Sequence, residues 1–122
     1  MKYLFLVYQD EARWAGVPQS ERELIEEACT AHEQELRRSG YLFAFEDFQS
    51  NQTAVMVQVV NGKVSLSDST TAVTKKRLIQ LFLINARDLN EAIQLVCKMP
   101  QTRKGPIEVR PLLKLDWRKF RV

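Results

Sequence analysis

At 122 residues and 14.2 kDa the chain has the length of one compact domain, and 45% apolar with 27% charged residues and only four Gly and four Pro fits a globular protein. Collagenous, low-complexity and disordered classes are excluded. The net charge of +3 is too small to signal a nucleic-acid binder, and the longest apolar run, Tyr3 to Tyr8, is far short of the ~20 residues of a bilayer span, so no membrane association or secretion is expected.

Residues 2 to 8 are aromatic and branched on both alternating faces, which predicts a strand covered on two sides. After a polar stretch with Gly16 and Pro18, Ser20 and Glu23 have the spacing of a capping box, so a helix is expected to start there. Leu24, Ile25, Ala28, His32 and Leu36 would form its inner face, and Ser39-Gly40 its stop. Tyr41 to Phe48 reads as a strand. Ala54 to Asp68 reads as a hairpin, because Asn61-Gly62 supplies two residues that tolerate positive φ. Residues 69 to 76 are expected to form a loop, and Leu78 to Asn85 a strand apolar on both faces. Asp88 and Glu91 cap a second helix, with Leu89, Ala92, Ile93, Val96 and Met99 inward and Pro100 ending it. Ile107 to Leu113 closes the series as a strand, with Pro111 suited to an edge. The order is the split βαβ arrangement of an α+β, ferredoxin-like domain with an inserted hairpin, in one domain over residues 1–122.

Charge is unevenly placed. Residues 10 to 47 hold ten acids against four bases, while residues 98 to 122 hold eight bases against two acids. The basic tail at about 115–122 carries Trp117 and Phe120, a combination that can grip phosphate and stack bases. Without a nucleic-acid motif, a solvated or protein-docked tail is the expectation, and nucleic acid is not an expected partner.

Two helices cover one face of a sheet, yet two of the strands are apolar on both. An uncovered face of that kind exceeds what soluble monomers usually expose, so a homodimer packed through this face is expected. The alternative is that the hairpin folds back over its own sheet.

The residues able to do chemistry are few. His32, the sole imidazole, could act as general acid or base, but a histidine on an apolar stripe is more often a packed side chain with one hydrogen bond. Cys29 and His32 are one helical turn apart, without a visible orienting group or oxyanion device. Both cysteines are expected as reduced thiols in a cytoplasmic protein. Two cysteines and one histidine make no structural zinc set, and neither metal nor cofactor is expected. Glu108 and Arg110 share one strand face opposite Ile107 and Val109. If the latter pack under the helices, Arg110 faces the dimer-side cleft, where its guanidinium could clamp a carboxylate or phosphate with Tyr8, Gln80 and Asp68 as neighbours. The bland reading is an ion pair along the strand. Trp14 and Tyr8 could stack a ligand or anchor a loop.

Lys2-Tyr3-Leu4 with Tyr8, Asp10-Glu11 and Trp14, then Asn61-Gly62-Lys63-Val64, Thr74-Lys75, Asp88-Leu89-Asn90-Glu91-Ala92 and Gly105-Pro106-Ile107-Glu108-Val109-Arg110-Pro111, resemble the DGPF-motif proteins of the YCII-related family across nearly the whole chain. The resemblance implies a ferredoxin-like fold that dimerises into an α+β barrel. Where that family reads Asp-Gly-Pro-Phe, this chain has Asp68-Ser69-Thr70-Thr71, so only the acid is kept and any ligand site there should differ. Relatives in the broader group resemble small lyases or isomerases with a His and Asp pair near the cleft; His32 does not fall on that histidine, so the catalytic residues are left unassigned, with His32 and Asp68 as weak candidates. Met99-Pro100 offers no acid where that group's Asp is expected. Two functions follow as expectations: a dimer with a cleft for a small polar or anionic ligand, or a non-enzymatic accessory protein, transcription-associated, that presents its acidic helix or basic tail to a partner.

Overall fold

The computed structural model describes residues 1–49, 54–68 and 76–113. In chain order they form β1 (Lys2–Asp10), α1 (Glu11–Ala15), α2 (Gln19–Arg38), β2 (Leu42–Asp47), β3 (Val55–Val60), β4 (Lys63–Asp68), β5 (Lys76–Asn85), α3 (Leu89–Cys97), a 3₁₀ turn (Pro100–Arg103) and β6 (Ile107–Pro111). One antiparallel sheet has the order β2-β5-β1-β6, and β3 pairs only with β4 in a separate ribbon. The four-stranded order with two βα units is the ferredoxin-like α+β fold, and the ribbon is the inserted hairpin.

The alternation of β1 explains the layers. Tyr3, Phe5 and Val7 are at most 1% exposed and meet Phe82 and Ile84 of β5 under the helices, with Leu36, Ala92 and Met99 closing the core. The Phe45 and Phe82 rings lie 5.8 Å apart within it. The opposite face presents Leu4, Leu6 and Tyr8 with Leu78, Leu81 and Leu83, all half-buried and uncovered by any helix.

Helix α2 departs from expectation in two ways. It starts at Gln19 behind Pro18, whose carbonyl accepts from the Glu21 and Arg22 amides, and no side chain caps it. A proline pre-sets the extended entry, and Ser20 lies already inside the first turn. Its buried face is Ile25, Cys29 and Leu36, while Leu24 is 65% exposed and Ala28 faces solvent. Helix α1, in the polar stretch that follows β1, is capped by Asp10 accepting from the Arg13 amide at 3.2 Å. In α3 the cap behaves as predicted: Asp88 accepts from the Glu91 amide, and Glu91 accepts from the Arg87 amide, each at 2.9 Å. Leu89 and Ile93, expected inward, are nearly half exposed, because Ala92, Leu95 and Val96 supply the packed side of α3.

The hairpin has the expected turn, with Asn61 at φ 52° and Gly62 at φ 76°. Its apolar side chains are exposed, so it does not fold back over its own sheet. The expected loop from Ser69 to Lys76 falls outside the described residues up to position 75, and Lys76 opens β5. The basic tail at 115–122 also lies outside them.

Candidate functional site

The edge strand β6 places its polar groups as the alternation requires. Ile107 and Val109 pack on the core, while Glu108 sits opposite Leu6 and Arg110 opposite Leu4 on the uncovered face. The Tyr8 hydroxyl donates to Glu108 Oε1 at 3.1 Å, and Arg110 Nε donates to Glu108 Oε2 at 2.5 Å. Arg110 holds the Glu108 carboxyl below its usual range, and burial together with the Glu108 bond pushes the Tyr8 phenol up. This trio therefore presents a neutral phenol, a carboxylate and a guanidinium, with no group in it poised to exchange protons near neutrality. A cavity of about 450 Å³ adjoins it, lined by Tyr8, Lys76, Pro106, Ile107 and Glu108.

The backbone that leads into Pro106 is held close to β1. The Tyr8 amide donates to Pro106 O at 3.0 Å and the Asp10 amide to Lys104 O at 2.8 Å, so the 104–106 backbone lies directly against β1. A Cβ at Gly105 would collide with the Tyr8 carbonyl and reach within 2.9 Å of the Asp10 nitrogen. Only glycine admits this approach.

Gln80 does not join the trio. Period two puts it on the face of Phe82 and Ile84, where its Nε2 donates to Asp47 Oδ1 at 2.6 Å and Glu33 Oε1 at 3.2 Å. The register shift between Val7 and Tyr8 then returns Leu78 to the open face beside Tyr8. Trp14 is a loop anchor: Arg22 and Lys104 lie 5.6 and 5.4 Å from its ring centroid, and Arg22 donates to Trp14 O and Val17 O at 2.9 Å. Asp68 ends β4 opposite Val55, in the ribbon and not in the sheet that carries Arg110.

His32 is half-buried, and burial lowers its pKa from 6.5. Its Nε2 is enclosed without a partner. Cys29 is 3% exposed, with a thiol pushed up to about 11 by burial, so it is a poor nucleophile. The pair makes no nucleophile and base.

A second polar cluster, absent from the sequence reading, lies under α2. A cavity of about 290 Å³ has Gln9, Cys29, Glu33, Arg77, Gln80 and Lys104 in its walls. Lys104 is 5% exposed and pairs with Glu26 at 2.5 Å. Gln101 is fully buried and donates to Glu33 at 3.4 Å, and burial raises the Glu33 carboxyl. The Oε1 atoms of Gln80 and Gln101 are buried without hydrogen-bond partners. The signal available in the sequence was Gln80 itself, a lone amide in an apolar strand, which needs a polar pocket beneath it. Among the described residues no group of three His, Cys, Asp or Glu could hold a metal ion, and no helix is long and apolar enough to cross a membrane.

A four-stranded ferredoxin-like sheet, helices on one face and a polar trio at the edge of the other define the class. The profile of the YCII-related domain matches residues 1–117, and the chain belongs to that family. No curated protein matched it.

Proposed function

We propose that the chain pairs with a second copy over its uncovered sheet face and binds a small polar or anionic ligand in the cleft so formed. The observation that carries this reading is the Tyr8, Glu108 and Arg110 trio at the rim of an apolar sheet face, beside a cavity that Lys76 also lines. Two cationic side chains suit a carboxylate or phosphate, and the Arg110 guanidinium has N–H donors beyond the Nε used by Glu108, while the Tyr8 hydroxyl proton is given to Glu108 and holds that carboxylate in place. Binding rather than acid–base catalysis is the role this set supports. Titration calorimetry with inorganic phosphate, acetate and citrate tests it. Arg110→Ala should weaken the best of these by ~10–100-fold, the worth of one charge-assisted hydrogen bond. Absence of binding by all three, or equal affinity in the variant, would sink the reading.

The unpaired amide oxygens under α2 favour a second reading, in which the ligand carries N–H donors and enters there. In that case an amine such as putrescine binds, and Gln80→Leu abolishes its binding while Arg110→Ala leaves it unchanged.

A further inference from the structure

Glu26, Thr30 and Glu33 follow one another by four and three residues, so α2 turns them together toward the sheet, where Gln80 of β5 and Lys104 after the 3₁₀ turn help to close the cavity of about 290 Å³. Its charges are incompletely paired. Lys104 is 5% exposed; Glu26 takes one N–H of its ammonium and the Trp14 ring lies 5.4 Å away, which leaves it donors for a further acceptor. On the other side Glu33 and Asp47 both accept from the one Gln80 Nε2, and among the described residues neither carboxylate has a salt-bridge partner. Gln101, fully buried, brings Glu33 only another neutral N–H and keeps an unpartnered Oε1. Burial raises the Glu33 carboxyl, the Gln80 bond and Lys104 lower it, and Asp47 raises it, so cation and carboxylates act on one small space. Enclosed charges short of partners are costly, and a ligand that completes them recovers that cost.

We propose that this cavity binds a free amino acid with a basic side chain, of the ornithine and lysine class, with its carboxylate on Lys104 and its far ammonium on Glu33 and Asp47. The proposal rests on the second reading above, that a ligand with N–H donors enters under α2, and adds the anion that the buried ammonium lacks. Charge decides the class. The walls carry Glu26, Glu33 and Asp47 against Arg77 and Lys104, one acid in excess, and Arg77 is already paired with Glu11 at 3.2 Å. A ligand of net charge +1 with a single carboxylate balances such walls. A simple diamine leaves Lys104 unanswered, and a phosphate adds negative charge to a cavity that has too much. Ile79 and Phe48 offer apolar surface to the methylenes between the two ends. The volume lies at the lower limit of ligand cavities, ~300 Å³, which suits a molecule of this size.

Titration calorimetry on the full chain tests this with L-ornithine, with putrescine, which lacks only the carboxylate, and with L-norvaline, which lacks only the side-chain ammonium. Ornithine should bind at least ~10-fold tighter than either, the worth of one charge-assisted hydrogen bond. Lys104→Met should close the gap to putrescine, and Asp47→Asn should narrow the gap to norvaline, each with unchanged far-ultraviolet circular dichroism. Arg110→Ala should leave all three affinities as they are. Putrescine bound as tightly as ornithine overturns the amino-acid assignment and leaves the amine reading standing, whereas no binding by any of the three overturns both. Norvaline bound as tightly as ornithine, or ornithine binding lost in Arg110→Ala, also overturns the assignment. Lys104 is buried, and should Lys104→Met fail to fold, the ranking of the three ligands on wild type together with Asp47→Asn decides.

Discussion

The sheet body and the hairpin are both β-structure, and they are held by different forces. In the body, Tyr3, Phe5, Val7, Phe82 and Ile84 are at most 1% exposed, and strand identity follows from burial under two helices. In the hairpin no aliphatic side chain on the Val57 face is less than 58% exposed, and the chain reversal follows from two positive φ angles at Asn61 and Gly62. Turn chemistry can specify a ribbon without stabilising it, whereas burial stabilises a strand whatever its turns. The body should therefore be insensitive to what happens in the hairpin.

The largest effect expected from that contrast is at Phe82. Truncation to Ala removes a ring at the centre of the core and should cost ~3–5 kcal/mol of unfolding free energy, whereas Val59→Ala should stay within ~0.5 kcal/mol when measured on the dissociated chain. Urea titration at submicromolar concentration checks both. Comparable losses would mean that the hairpin is packed into the body after all, and the comparison would fail.

A smaller effect sharpens the same point from the helical side. Asp88→Ala removes the acceptor for the Glu91 amide and should cost ~1 kcal/mol, because α3 is short and its reciprocal cap with Arg87 and Glu91 fixes its start. No equivalent loss is expected at Ser20. That hydroxyl lies inside α2 and caps nothing, so Ser20→Ala should be neutral in the same assay.

These two positions show what the sequence could disclose. Strand periods, the Asn61-Gly62 turn and the Asp88 cap are local signals, read over two to four residues, and each appears in the structure where local chemistry places it. The start of α2 was misread because two helix signals, Pro18 and Ser20, compete within three residues, and the proline restricts the backbone more strongly. That Glu108 and Arg110 share a face was legible from alternation in β6, on the condition that Ile107 and Val109 face the core, whereas Tyr8 was one of three neighbours offered and only the pairing of β6 with β1 selects it. Gln80 was misplaced although the same period two put it beside Phe82; choosing its partners required the β1 to β5 register, which arises from pairing across more than 60 residues. In the cluster under α2 Gln80 was the one local signal; Glu26 of α2 and Gln101 and Lys104 from the turn after α3 had none, because they meet β5 only in three dimensions.

The smallest expected effect is the most specific test of the body's interior. Burial lowers the His32 pKa from 6.5, an effect that Lys98 reinforces and Glu35 opposes. The folded chain thus binds fewer protons at this position than the unfolded chain as pH falls. Above the unfolded value the ring is neutral in both states and carries no penalty. Below it, stability falls with pH until the folded form also takes up a proton. Glu33, raised by burial, acts in the opposite sense and favours the folded state as pH falls, so the wild-type profile alone mixes the two. The difference in urea midpoint between wild type and His32→Gln isolates the imidazole over about pH 5 to 8. Its slope should be positive below ~6.5 and flat above. A slope of the opposite sign would mean that the charged ring is stabilised in the folded chain, and that the enclosed Nε2 faces an acid and not the apolar side of α2.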